Sequence, residues 1–140
     1  MDLKILILTF LLCTCGIRLL SAEEPTSEQV QEFLNVHLSY AQDQALMAGI
    51  PVSFTLGQAM IESNYGRSEL ATKANNFFGI KGIHGWDGAV YYIKSKEQDR
   101  NTGSVQLEGS NFRQYADIAA AYEDRLIFLC LLAVMQTYLN

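Results

Sequence analysis

The chain has 140 residues, 49% hydrophobic and 18% charged, with a formal net charge of −5 and a pI near 4.9. That length accommodates one domain, and the composition is that of a globular rather than a disordered chain. The acidic balance argues against nucleic acid as a partner, because such binding needs a basic patch to displace counterions from phosphates.

The chain opens with Lys4 ahead of an apolar run at 5–12, and small residues Ser21 and Ala22 precede Glu23 and Glu24. A basic start, a short apolar core and a small-residue exit predict a secretory signal peptide over 1–22, cleaved after Ala22, and a mature domain over 23–140. Arg18 interrupts the apolar run before it could cross a bilayer, so no membrane span is expected once the signal is removed. Lipid anchoring at Cys15 is disfavoured because Leu12, Cys13 and Thr14 make a poor lipidation signal. The mature domain keeps a single cysteine, Cys130, which the apolar run 126–135 predicts to be a core hydrophobe. His37 and His84 are far apart and lack cysteine partners, so neither a metal centre nor a cofactor is expected.

A first helix is predicted from Thr26, where Gln29 completes a capping box, to the stop at Gly49 and Pro51. A second runs from a cap at Ser53 to Ser63, with Asn64 and Gly66 providing a left-handed exit. A helical turn follows over 68–73, then a structured loop over 74–88 that holds Trp86, the only tryptophan. Residues 89–95 and 105–115 read as paired strands around turn residues at 99–104. Asp117 caps a final helix that is apolar on most faces and requires cover all round. The order is that of an α+β domain, mainly α, with a small β-hairpin lobe. No internal repeat interrupts it.

The second helix carries the chemistry. At about 100° per residue, Leu56 and Met60 fall on one side, Phe54 and Ile61 toward the other, and Thr55, Gln58 and Glu62 on a polar stripe between. A helix apolar on two sides is central, so a carboxyl on its stripe faces a cleft or a buried network. Glu62 also lies in the last turn, where the helix dipole disfavours an anion. Both influences raise a carboxyl pKa, as a general acid near neutral pH requires.

Four stretches then fall in a telling order. They are Gln58-Ala59-Met60-Ile61-Glu62-Ser63-Asn64-Tyr65-Gly66, Ser68-Glu69-Leu70-Ala71, Ala74-Asn75-Asn76-Phe77-Phe78-Gly79-Ile80-Lys81-Gly82, and Phe112-Arg113-Gln114-Tyr115. In these stretches the chain resembles the peptidoglycan endo-β-N-acetylglucosaminidase family of flagellum-associated and autolysin-type wall hydrolases. The resemblance implies a lysozyme-like helical lobe holding the acid, with the β lobe across a cleft. It implies an exported enzyme of the periplasm or cell wall whose partner is the peptidoglycan glycan strand. Glu62 matches the family's catalytic acid, and Glu97 its second acidic residue on the β lobe. Tyr65, Asn75, Asn76, Phe77 and Trp86 are the candidate substrate-binding residues, Tyr65 and Trp86 foremost, while Phe78 is assigned to the core. Asn75 and Asn76 are equally suited to fixing turns through their own side chains. His84 reads as a loop residue.

The chain departs from the family in two places. Arg125 stands where histidine is common, and the family continues beyond the final helix to a tyrosine-bearing segment, whereas this sequence stops at Asn140. Truncation at the C-terminus is therefore an expectation. Two other readings of the same residues are a lytic transglycosylase using Glu62 alone and a peptidoglycan-binding module without turnover.

Overall fold

The computed structural model describes residues 24–83, 85–98 and 105–138, with 95–98, 105–108 and 136 as backbone only. The expected signal segment at 1–22, His84 and the expected turn at 99–104 lie outside the described residues. In chain order the elements are α1 (Ser27–Ala48), α2 (Val52–Ser63), α3 (Glu69–Ala74), β1 (Val90–Gln98), β2 (Val105–Arg113) and α4 (Ile118–Tyr138). The domain is mainly helical, with β1 and β2 paired antiparallel as a small hairpin. No helix among the described residues is long and apolar enough to cross a membrane.

Local chemistry sets most boundaries. Thr26 Oγ1 accepts the Gln29 N–H at 3.2 Å, and Gln29 Oε1 accepts the Thr26 N–H at 2.9 Å, so the capping box forms as expected. Gly49 ends α1 at φ 67°. The start of α2 differs from expectation: Pro51, not Ser53, is the cap residue. Its carbonyl accepts the Phe54 and Thr55 N–H groups at 3.0 and 3.1 Å, and its missing N–H costs nothing at a helix start. Ser68 Oγ caps α3 by accepting the Ala71 N–H at 3.1 Å.

The core joins Phe33 of α1, Ala59 of α2 and Ala71 of α3 to Ala121 and Tyr122 of α4. Phe77, Phe78 and Ile80 add three core side chains from the segment expected to be a loop. That segment is tied along β2 by an isolated bridge between Lys81 and Phe112. The Arg113 N–H also donates to the Ile80 carbonyl at 2.9 Å, and the Gly82 N–H to the Asn111 carbonyl at 3.0 Å.

The burial expected of Cys130 in α4 is corrected, and the helix lacks cover over part of its apolar surface. Its inner face, Ala121, Tyr122 and Arg125, is buried, but Ile127, Leu131, Val134 and Met135 are exposed. The helix is therefore covered on one side only. At about 100° per residue Ile127 and Val134 lie opposite the inner face, whereas Leu131 and Met135 lie on its flank. Cys130 shares the side of Ile127 and Val134 and is exposed rather than in the core.

Candidate active site

The sequence places Glu62 on an inward stripe, and α2 shows what that stripe does. Thr55 and Gln58 are buried, Ile61 is 60% exposed, and Glu62 is half-buried in the last turn. The expectation that Ile61 lies on a second covered face is thus wrong. The stripe itself turns into the protein and emerges at Glu62.

The chain after Glu62 makes an unusual turn. Asn64, Tyr65 and Gly66 all have positive φ, at 51°, 55° and 73°. The sequence pointed to Asn64 and Gly66 but not to Tyr65, for which the left-handed region is strained. Side chains hold the turn in place. Ser63 Oγ donates to the Ala59 carbonyl at 2.5 Å and accepts the Gly66 N–H at 2.8 Å. Arg67 donates to the Asn64 carbonyl at 3.2 Å, to Asn64 Oδ1 at 3.0 Å and to Gln29 Oε1 at 3.2 Å.

The segment 76–80 forms the wall beside the carboxyl. Gly79 has φ +65°, and a Cβ built on it would lie 3.3 Å from Glu62 Oε2. A side chain at position 79 would therefore crowd the carboxyl. Asn76 shapes the wall: Oδ1 accepts the Phe78 and Ile80 N–H groups at 3.3 and 3.2 Å, and Nδ2 donates to the Ile80 and Arg113 carbonyls at 2.9 and 2.8 Å. Those four bonds use the whole capacity of the amide. Asn76 is 1% exposed, so it builds the site and has no group left for a ligand. Asn75 Nδ2 is likewise turned inward, donating to the Tyr115 and Ala116 carbonyls at 3.0 and 3.2 Å.

The aromatic candidates separate. Phe77 is buried, packed edge-on against His37 with ring centroids 4.6 Å apart, and Phe78 is in the core. Tyr65 is half-buried, its ring edge-on to Phe33 at 6.2 Å. With Val36, His37 and Arg67 it lines a depression of about 320 Å³ on the α1 side. Trp86 is half-buried, with the Arg113 guanidinium 4.5 Å from its ring centroid and Nε1 donating to the Ala89 carbonyl at 3.0 Å. Glu97 sits on β1 with its backbone opposite Gln106; its side chain lies outside the described residues.

Residues to which the sequence assigned no role in the site support it from below. Arg125 is 1% exposed; it donates to Gln58 Oε1 from Nε at 3.0 Å and from a terminal nitrogen at 2.8 Å, and to Gln44 Oε1. His37 Nδ1 meets the Tyr122 hydroxyl at 3.0 Å, and burial lowers the His37 pKa to about 4. Asp124 accepts from Arg113 at 2.7 and 2.8 Å and from the Tyr115 hydroxyl at 2.6 Å, joining β2 to α4. A basic residue three positions after Tyr122, on the helical face that also carries Ala121, was the available signal for Arg125.

The domain is mainly helical with a small β-hairpin and carries a carboxyl at the end of α2 against a glycine wall, and the solved structures it superposes on are glycoside hydrolase domains. Residues 38–138 match the glucosaminidase family, described as mannosyl-glycoprotein endo-β-N-acetylglucosaminidase, and the chain belongs to that family. It is 29% identical over 105 residues to the exo-glucosaminidase LytG of Bacillus subtilis, an alignment covering 75% of this chain and 36% of LytG. It is 29% identical over 102 residues to the peptidoglycan hydrolase FlgJ of Pseudomonas aeruginosa, covering 70% of this chain and 25% of FlgJ. The chain therefore spans about a third or less of the length of these relatives. Among solved structures, the catalytic domain of the autolysin Auto from Listeria monocytogenes superposes with a TM-score of 0.61 at 28% identity, covering 90% of this chain and 65% of that one. A C-terminally truncated glycoside hydrolase domain of FlgJ from Salmonella typhimurium gives 0.58 at 26% identity, covering 71% and 67%.

Proposed function

We infer that this chain hydrolyses the β-1,4 glycosidic bond after N-acetylglucosamine in bacterial peptidoglycan, with Glu62 as the general acid. The observation that carries this reading is the placement of Glu62, half-buried at the end of α2 and closed in by Gly79, in a chain of the glucosaminidase family. A carboxylic acid held beside the scissile bond can deliver its proton to the leaving oxygen.

In the proposed reaction Glu62 protonates the glycosidic oxygen as the bond from the anomeric carbon to that oxygen breaks. The positive charge that develops on the sugar is taken up from the opposite face. Water deprotonated by Glu97 is one nucleophile; the carbonyl oxygen of the sugar's own 2-acetamido group is the other, with water then opening the cyclic intermediate. The enzyme acts outside the cytoplasm, where peptidoglycan lies, and residues 1–22 serve as its export signal. Tyr65 and Trp86 are the proposed stacking surfaces for sugar rings.

Mass spectrometry of fragments released from purified peptidoglycan tests this reading. Reducing N-acetylglucosamine ends are expected, whereas anhydro products mean a lytic transglycosylase and wall binding without release means a binding module. Glu62→Gln keeps size and hydrogen bonding but removes the proton, so turnover should fall by about 10²–10⁴-fold. Comparable turnover in that variant refutes the assignment. Glu97→Gln should lower turnover more than affinity if water is the nucleophile; an unchanged rate assigns the attack to the acetamido group.

A further inference from the structure

Arg125 is a buried cation held by neutral groups. Among the described residues its polar side-chain partners are the amide oxygens of Gln44 and Gln58, neither of them a carboxylate. Its guanidinium also lies over the Phe78 ring, 4.9 Å from the centroid, with Phe54 at 5.9 Å. Burial lowers its pKa to about 10, which leaves it charged at neutral pH. Removing such a charge from water costs several kcal/mol, and an apolar side chain of similar size would fill the same volume without that cost. Packing alone therefore does not account for an arginine here.

The elements it grips are the two that bracket Glu62. Gln58 lies one helical turn before Glu62 on the same face of α2. Its single Oε1 takes two N–H groups of Arg125, and a planar fork fixes direction as well as distance. Phe78, under the guanidinium, is followed in the chain by Gly79, whose Cβ position lies 3.3 Å from Glu62 Oε2. Gln44 secures the third side: its Oε1 accepts from Arg125 while its Nε2 donates to the Tyr122 carbonyl at 2.6 Å. α1, α2, α4 and the glycine wall are thereby referred to one rigid, planar group.

We propose that Arg125 is a positioning residue for the Glu62 carboxyl, setting the separation between α2 and the 76–80 wall so that the carboxyl has one orientation toward the scissile bond. This rests on the reading of Glu62 as the acid. Arg125 acts through Gln58 and Phe78 and does not touch substrate.

The test compares Arg125→Met, Arg125→Lys and Gln58→Met with the unaltered chain, reading melting, kcat and KM on solubilised glycan fragments and the carbon-13 signal of the Glu62 carboxyl. Arg125→Met should fold, lose kcat by about 10–100-fold, as expected for a reacting group displaced by about an ångström, and keep KM within about twofold. Arg125→Lys, which retains a donor and the charge, should recover part of the loss. If Arg125→Met does not fold, Gln58→Met cuts the link to α2 alone and should show the same kcat loss. A folded Arg125→Met or Gln58→Met variant with near-normal kcat overturns the proposal. So does a loss that falls equally on melting and KM and is not eased by lysine. The carboxyl signal separates the two hypotheses: it should shift or broaden in Arg125→Met whether or not Glu62 is the acid, and an unchanged signal refutes the positioning role. Full turnover in Glu62→Gln refutes the acid assignment instead.

Discussion

His37 sits in a continuous aromatic stack, its ring 4.0 Å from Phe33 on one side and 4.6 Å from Phe77 on another, and it is 3% exposed. Burial lowers its pKa from 6.5 to about 4, so the folded protein binds that proton less readily than the unfolded chain. Stability from this group is full above pH 6.5 and is lost as pH falls toward 4. The difference corresponds to about 3 kcal/mol at most. Denaturant melts between pH 7 and 4 should show a steeper decline for the unaltered chain than for His37→Gln, which keeps a partner for the Tyr122 hydroxyl. Parallel declines would mean that His37 does not carry the effect. Thr55 presents the opposite situation, a buried hydroxyl whose oxygen has no hydrogen-bond partner among the described residues. Valine has the same shape without the unpaired group, so Thr55→Val should raise stability by about 1 kcal/mol. A lower melting midpoint would show that the hydroxyl is satisfied, for instance by a buried water.

At the scale of the element, the segment 76–80 matters more than its sequence suggests. Glycine and asparagine marked it as a loop, yet it contributes three core side chains and the wall beside Glu62. Two glycines separate conformational strain from contact. Gly49 and Gly79 have nearly the same φ, +67° and +65°, but a Cβ on Gly49 meets open space while one on Gly79 meets Glu62. Alanine at either site should cost about 1–2 kcal/mol from the left-handed backbone. Gly79→Ala should in addition reduce turnover at least tenfold relative to Gly49→Ala, because a misplaced reacting group loses rate steeply. Equal activity in the two variants would remove Gly79 from the site. The hairpin has its own attachment to the helical part, through the Tyr91 hydroxyl donating to Glu69 Oε1 at 2.8 Å, and through Asp124, which takes Arg113 and Tyr115 together.

Across the whole molecule, burial is uneven along α4. The half nearest Asp117 is packed against α1 and the 76–80 wall, whereas the half beyond Leu126 presents Ile127, Leu131, Val134 and Met135 to the outside. Apolar character and burial therefore diverge within a single helix. Phe78→Ala should cost about 3–5 kcal/mol, since it leaves a cavity in the core. Leu131→Glu, at a site 57% exposed, should change stability by no more than about 0.5 kcal/mol. Chemical denaturation of both variants checks this. A large loss at Leu131 would mean that this face is covered in solution.

The sequence by itself determined the elements and their order. The capping box at Thr26 and Gln29, the stop at Gly49 and the cap at Asp117, whose Oδ1 accepts the Ala120 N–H at 2.9 Å, are interactions within a few residues, and residue identity specifies them directly. The stretches running from Gln58 to Tyr115 likewise identified the family and placed Glu62 at the end of an inward stripe. Tertiary structure decided which apolar residues are covered and which polar ones are buried. Ile61 and Cys130 are outside although their surroundings in sequence are apolar, and Gln44, Gln58 and Arg125 are inside although they are polar or charged. It also turned Asn75 and Asn76 from candidate ligand donors into braces of the wall. The physical reason is range. Arg125 meets Gln58 across 67 residues and Gln44 across 81, and a helical period fixes which side chains share a face, not what that face meets.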